Sequence, residues 1–412
     1  MALAAVDPER LVRDELTRRG QVFGAAFALG KAAAAMARGA RAAGVLPPGV
    51  PRLLIRTHSA PGLLDLAWTQ RTGGHPVPDR QSLASGERLA SFLEELPEDQ
   101  PLLVLVSGGG SSCCELPAPG LTLDDLTGTY RALLAGGVPI GPVNAVRKHI
   151  SALKGGGALR LAERAPRILA LLLSDVPDDD PGTIASGLFA ADPTTYAQAL
   201  AVVAGLAVPE RVRRHLQGGH AGEHPETLKP GDPALGKVES LVVGSVANAV
   251  DTVAQEIERA GFQVSRGPLA GEAAEAARML ISKGRALGQP AHASGVALVL
   301  GGETTVTLGR QPGKGGRNQE LALAAAREIA GRPDELVLTL ATDGEDGPTQ
   351  TAGAVVDGGT WEAVAGAGID PHTALVRHDS ATALAAVHGA LLETGPTGTN
   401  VGDLAVYLRW CP

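Results

Sequence analysis

Short apolar runs that break off into loops of glycine, serine or aspartate, and that alternate with alanine-rich helical stretches, constrain this chain more than any other feature. Leu102–Val106 follows the helical pattern Ser82–Glu95 and runs into "SGGGSS", Ile168–Leu173 runs into "SDVPDDDPG", and Leu53–Arg56 is a shorter run of the same kind. Strands that alternate with helices build parallel sheets buried on both faces. The expected fold is α/β with mostly parallel strands. Ligands of such sheets gather beyond the carboxyl ends of the strands, which makes both loops candidate site segments.

At 412 residues the chain exceeds one ordinary core, so two domains are expected. The stretch "QGGHAGEHPETLKPGDPALGK", between Leu216 and Lys237, is rich in glycine, proline and charge and reads as an interdomain connection. The expected domains are 1–232 and 233–412. The second would hold a strand at Leu241–Val243, a helix at Ala247–Arg259, a strand around Gln263 and a helix at Gly271–Lys283, followed by strands at Gly295–Leu300 and Leu336–Leu340. Aromatic residues make up only 3%, so the cores must be built from alanine, valine and leucine.

A net charge of −8 argues against a nucleic-acid surface and requires any phosphate site to be a local basic cluster. Adjacent Cys113 and Cys114 lack metal-ligand spacing, and with Cys411 the odd total does not form a disulfide framework. The first twenty or so residues mix charges throughout and lack the apolar centre of a signal peptide. No apolar run approaches membrane-spanning length. A soluble cytoplasmic protein is expected.

Four segments carry chemistry. "GKGGRNQELALAAAREIAG" sets glycines and two cations before a helix. Gly315 and Gly316 with Arg317 form either an anion cradle on the helix N-terminus or a flexible loop before an ordinary cap. "LVSGGGSS" exposes successive N–H groups of Gly108, Gly109 and Gly110 between Ser107 and Ser111, a nest for carboxylate or phosphate or a tight turn. "NAVRKHISALKGGG" reads as a helix between Asn144 and Gly155 that carries Arg147, Lys148, His149 and Lys154. Those cations are an anion site or a solvated face, and His149 is a base or a hydrogen-bonded structural residue. Finally, Asp175 and Asp343 are the first acids after two strands, placed to ligate a hard cation or to brace their own turns. Lys31 in "GAAFALGKA" sits at a strand-to-helix junction. The glycine spacing there does not match a P-loop, and Ala32 stands where that motif needs Ser or Thr.

Taken in order, "GKAAAAMA", "GGHPVPD", "LVSGGGSS", "VRKHISALKGG", "LLLSDVPDDDPGTIASG", "GGETTVTL", "GGRNQELALAAA", "TDGEDGPT" and "TGPTGTN" resemble the class II glycerate kinases along nearly the whole chain. This is the glycerate 2-kinase family with a MOFRL-type C-terminal domain. The resemblance implies a Rossmann-like N-terminal domain, a smaller C-terminal α/β domain and a site in the cleft between them. It implies transfer of phosphate from ATP to the 2-hydroxyl of D-glycerate with Mg2+ or another divalent cation, in a monomer or homodimer. By the same resemblance Lys31 and Arg317 act on the transferring phosphoryl group. Ser107, Gly108, Gly109, Gly110, Ser111, Asn144, Arg147, Lys148, Lys154, Gly315, Gly316 and Asn318 would hold substrate or phosphate anions, and Asp175 and Asp343 the metal. The chain departs from the family pattern at Val246, His378, Ala381 and Gly402.

Two other readings compete with the kinase. Relatives of this family are often named hydroxypyruvate reductase, but no G-x-G-x-x-G follows a strand, so the dinucleotide fingerprint is missing. A non-catalytic nucleotide or sugar-acid sensor would bind the same ligands but would leave Lys31, Asp175, Arg317 and Asp343 without joint work.

Overall fold

The computed structural model describes residues 1–176, 178–288, 293–309 and 311–410; Cys411 lies outside them. The described chain divides into two compact units, 7–244 and 1–6 with the described residues from 245 onward.

Unit 7–244 is built on a six-stranded sheet. Its strands are β1 (Ala25–Leu29), β2 (Arg52–Thr57), β3 (Thr69–Gly73), β4 (Leu102–Val106), β5 (Ile168–Leu173) and β6 (Val238–Gly244). They lie in the order β3-β2-β1-β4-β5-β6, and every neighbouring pair is parallel. β1, β4 and β5 are buried along their whole length, as central strands covered on both faces must be. That is why their sequences show no alternation. Phe27, Leu53, Val104 and Ala170 belong to one continuous core with Leu89 and Phe92 of the helix Arg80–Glu94.

The strand expected at the head of the second domain is β6, the edge strand of this first sheet, with Leu171 registered opposite Leu241. The stretch that reads as a connection is also woven into this unit. Leu228 N–H donates to Gly155 O at 2.9 Å, and Asp192 N–H donates to Leu228 O at 2.7 Å. Compactness therefore divides the chain after Gly244 rather than at residue 232, because turn-forming composition marks a surface path without saying which core it crosses.

The second unit carries β7 (Phe262–Leu269), β8 (Gly295–Gly302), β9 (Glu335–Ala341), β10 (Gly353–Asp357), β11 (Leu391–Leu392) and β12 (Asp403–Trp410) in the order β11-β10-β9-β12-β8-β7. Among its described strands only β7 and β8 pair in parallel; β12 lies between β8 and β9, antiparallel to both. The expectation of mostly parallel strands thus holds for the first sheet and fails for the second. β9 shows the cause: its residues alternate between buried and half-buried, yet its half-buried positions are apolar too, so the sequence imitates a fully buried strand. Residues 1–6 join this unit, with Thr399 Oγ1 donating to Val6 O at 2.8 Å. Among the described residues no helix is long and apolar enough to cross a membrane.

Candidate active site

In unit 7–244 the carboxyl ends of β1 and β4 are tied together through backbone and one serine. Lys31 N–H donates to Gly108 O at 2.9 Å, Ala32 N–H donates to Ser107 Oγ at 3.0 Å, and Ser107 Oγ donates to Leu29 O at 3.2 Å. Gly30 (φ +109°) allows this approach, since a Cβ there would come within 2.4 Å of Ser107 O. At Gly109 (φ +82°) a Cβ would lie 3.2 Å from Lys31 Cγ and 3.7 Å from His75 Nδ1. The lysine stem and the glycine loop are therefore packed side by side.

The two serines beyond the glycines fix the loop's far end. Ser112 Oγ is 2.9 Å from His75 Nδ1, and Ser111 Oγ is 2.6 Å from Ser186 Oγ. Ser186 Oγ in turn donates to Asn144 Oδ1 at 3.2 Å. Ala185 and Ser186 both adopt left-handed backbone (φ 49° and 58°), a costly conformation for non-glycine residues that recurs where a site over-determines the chain. Lys31, the glycine loop and Asn144 are thus linked through a chain of contacts. His75 and Ser186 join them unannounced, although both lie in segments already recognised by motif, "GGHPVPD" and "GTIASG".

The basic segment is arranged differently from the expected single helix. The helix runs Ile140–His149 and stops there, because Ile150 leaves helical geometry and Ser151 bridges to Pro117. Arg147, Lys148 and His149 fill its last turn, and Lys154 lies beyond it. Lys148 Nζ pairs with buried Asp192 at 3.3 Å. Lys154 pairs with Glu115, which also accepts Tyr130 Oη at 2.7 Å and Ser151 Oγ at 2.6 Å. Burial pulls the Lys154 ammonium down while Glu115 pulls it up, and the net is below the usual lysine value. Burial would raise Asp192, but Thr194, Lys148 and Thr227 hold its carboxyl below the usual range. Both lysine charges are thus neutralised inside the fold. Arg147 instead stacks on Tyr130, with Cζ 4.9 Å from the ring centroid. His149 is structural: Nδ1 donates to Ala145 O at 2.7 Å and Nε2 meets Glu226 at 3.1 Å.

Cys113 and Cys114 are buried, and burial pushes the Cys113 thiol up to about 12 and raises Cys114 as well. Neither has thiolate character to act as a nucleophile. In the loop after β5, Asp178 accepts from Asp180 N–H, and Asp180 accepts from Gly182 N–H and Thr183 Oγ1, so these acids brace their own turn.

In the second unit Arg317 opens the helix Arg317–Glu328 and faces three carboxylates. Its Nε and Nη2 fork onto Asp403 at 2.5 and 3.1 Å, and its Nη1 donates to Glu303. Burial opposes the guanidinium charge, but Asp403 and Glu303 outweigh it and raise its pKa. Burial pushes Asp403 up to about 6 against the pull of Arg317.

The helix start itself is already occupied. Asn318 and Gln319 N–H donate to Asp346 at 3.0 and 2.8 Å, and Asn318 Nδ2 donates to the same carboxylate at 3.3 Å. The anion in the cradle is therefore the chain's own. Gly315 and Gly316 make room for Ser380 and Asp346. Asp343, the acid singled out by order after the strand, accepts from Glu345 N–H at 3.2 Å. Among the described residues no group of three His, Cys, Asp or Glu is placed to hold a metal.

Two family descriptions match the chain: Domain of unknown function (DUF4147) over residues 1–217 and the MOFRL family over residues 296–403. Glycerate 2-kinase of Pyrococcus horikoshii is 40% identical over 346 residues, covering 81% of this chain and 76% of that protein. D-glycerate 2-kinase of Thermotoga maritima is 37% identical over 423 residues, covering 99% and 95%. The crystal structure of glycerate kinase from Thermotoga maritima superposes with a TM-score of 0.84 at 35% identity, covering 99% of this chain and 96% of that one. The coverage takes in both units, and the chain belongs to the glycerate kinase family that joins a DUF4147 region to a MOFRL region.

Proposed function

We infer that this protein transfers the γ-phosphoryl group of ATP to the 2-hydroxyl of D-glycerate, giving 2-phosphoglycerate and ADP, as a cytoplasmic monomer or homodimer. The observation that carries the reading is the match along 99% of the chain to a protein named D-glycerate 2-kinase. Phosphoryl transfer asks the protein mainly for positioning and for positive charge around the phosphoryl oxygens. Lys31, whose backbone is fixed by the glycine loop, and Arg317, whose fork is fixed by Asp403, are the cations assigned to that work.

Asn144, Arg147 and the loop Ser107–Ser111 are assigned to the substrate anions. Lys148 and Lys154 hold the surrounding loops through Asp192 and Glu115, and Gly315, Gly316 and Asn318 seat Asp346. Magnesium needs few protein ligands and takes the rest from phosphate and water, so single carboxylates such as Asp175 and Asp343 suit it without a preformed cage. When bound it would neutralise phosphate charge.

Release of ADP from magnesium-ATP, measured with and without D-glycerate, tests the reading. Glycerate-dependent ADP release is expected. No such release, together with NADH oxidation on addition of hydroxypyruvate, would replace the kinase with a reductase; neither activity would leave a sensor.

A further inference from the structure

Arg317 is held by two carboxylates of opposite character. Asp403, the first residue of β12, has a side chain only 1% exposed, whereas Glu303, just past β8, is 52% exposed. The arginine side chain is 34% exposed. Asp403 takes one edge of the guanidinium, Nε and Nη2, while Glu303 takes the remaining nitrogen, Nη1. Among the described residues Arg317 is the only ion-pair partner of Glu303.

The two contacts differ in what breaking them would cost. Pulling Arg317 off Asp403 would leave a buried carboxylate unpaired, which is strongly unfavourable. Letting go of Glu303 returns an exposed carboxylate to water, and exposed pairs contribute little. A polyanion reaching Arg317 can therefore exchange with Glu303 at Nη1 but not with Asp403.

We propose that Glu303 is a placeholder carboxylate that occupies the phosphate position on Arg317 Nη1 in the ligand-free protein and is displaced by the terminal phosphate of the nucleotide, while Asp403 stays in place and aims the fork. This rests on the assignment of Arg317 to the nucleotide phosphates. Glu303 then sets nucleotide affinity, because every binding event must break its ion pair. The same contact keeps an otherwise reactive anion site satisfied between turnovers, and it limits capture of weaker, singly charged anions that cannot compete with a carboxylate already in place.

The test is calorimetric titration of the full chain with a non-hydrolysable ATP analogue plus magnesium, comparing wild type, Glu303→Gln, Arg317→Ala and the double variant. Glu303→Gln should tighten binding about two- to five-fold, the range of an exposed ion pair. In the Arg317→Ala background the same substitution should change nothing. If Arg317→Ala leaves affinity unchanged, the phosphate assignment itself fails and the placeholder with it. If Arg317→Ala weakens binding but Glu303→Gln brings no gain, the assignment stands and the placeholder is overturned. A gain that persists without Arg317 would equally overturn it, since it would be a general loss of repulsion. Should Arg317→Ala not fold, the comparison is made in Arg317→Gln/Asp403→Asn, which removes the buried pair as a unit.

Discussion

Gly316 and Asp346 are packed so closely that a Cβ on the glycine would come within 2.3 Å of the aspartate's carboxyl carbon. The glycines before the helix Arg317–Glu328 thus let a buried carboxylate reach the N–H groups of Asn318 and Gln319. Burial raises the pKa of Asp346 in spite of those bonds.

Gly316→Ala should therefore destabilise the second unit by about 1–3 kcal/mol, the usual cost of overpacking. Asp346→Ala, which strips the helix start of its acceptor, should cost a similar amount. Urea denaturation of both variants measures this. Wild-type midpoints for both would mean that the cap contributes nothing.

Much of the fold is legible in the sequence, and the parts that are not share a physical cause. β4 and β5 match their expected bounds because an unbroken apolar run before a glycine- or aspartate-rich loop has few other meanings. The run that forms β6 reads as the head of the second domain because an edge strand does not record which sheet it joins, and β12 is not among the expected strands although it lies between β8 and β9. Among the candidate site residues, Lys31, the glycine loop and Asn144 stand out by motif. The ion pairs of Lys148 and Lys154 do not, because their partners Asp192 and Glu115 lie 44 and 39 positions away and a local count of cations cannot see them. Order after a strand singles out Asp343 rather than Asp346, because it says nothing of burial.

Glu115 serves three donors at once, Tyr130, Ser151 and Lys154. Glu115→Ala should lower stability by about 3–5 kcal/mol, since it leaves a buried ammonium without its partner. A loss below about 1 kcal/mol in equilibrium unfolding would place that ammonium in contact with water.

The acid limb of turnover should follow Asp403. Its folded-state value, about 6, lies above the ordinary aspartate value of 3.8, so its protonation favours folding at low pH and that contribution is lost as pH rises through about 6. Its hold on Arg317 runs the other way and forms only as the carboxyl ionises. kcat should therefore fall as pH drops through about 6, and Asp403→Asn should lower the plateau and flatten that limb. An unchanged limb in the variant would assign it to another group.

Arg317→Lys keeps the charge but loses the planar fork, so it should lower kcat by roughly 10²–10³ with a smaller effect on the KM for glycerate. Lys31→Ala should cause a loss of the same kind. Cys113→Ala should leave turnover near wild type, because its thiol is buried and held protonated. Steady-state kinetics on folded variants decides between them. Wild-type turnover in Arg317→Lys with none in Cys113→Ala would move the chemistry to the "SGGGSSCC" loop.

Phosphorus NMR of the product formed from D-glycerate and magnesium-ATP tests the central claim most directly. The account predicts a single new monoester resonance, assigned to 2-phosphoglycerate, that appears as ADP accumulates. A product consisting of 3-phosphoglycerate alone, or no phosphorylated glycerate at all, would contradict it.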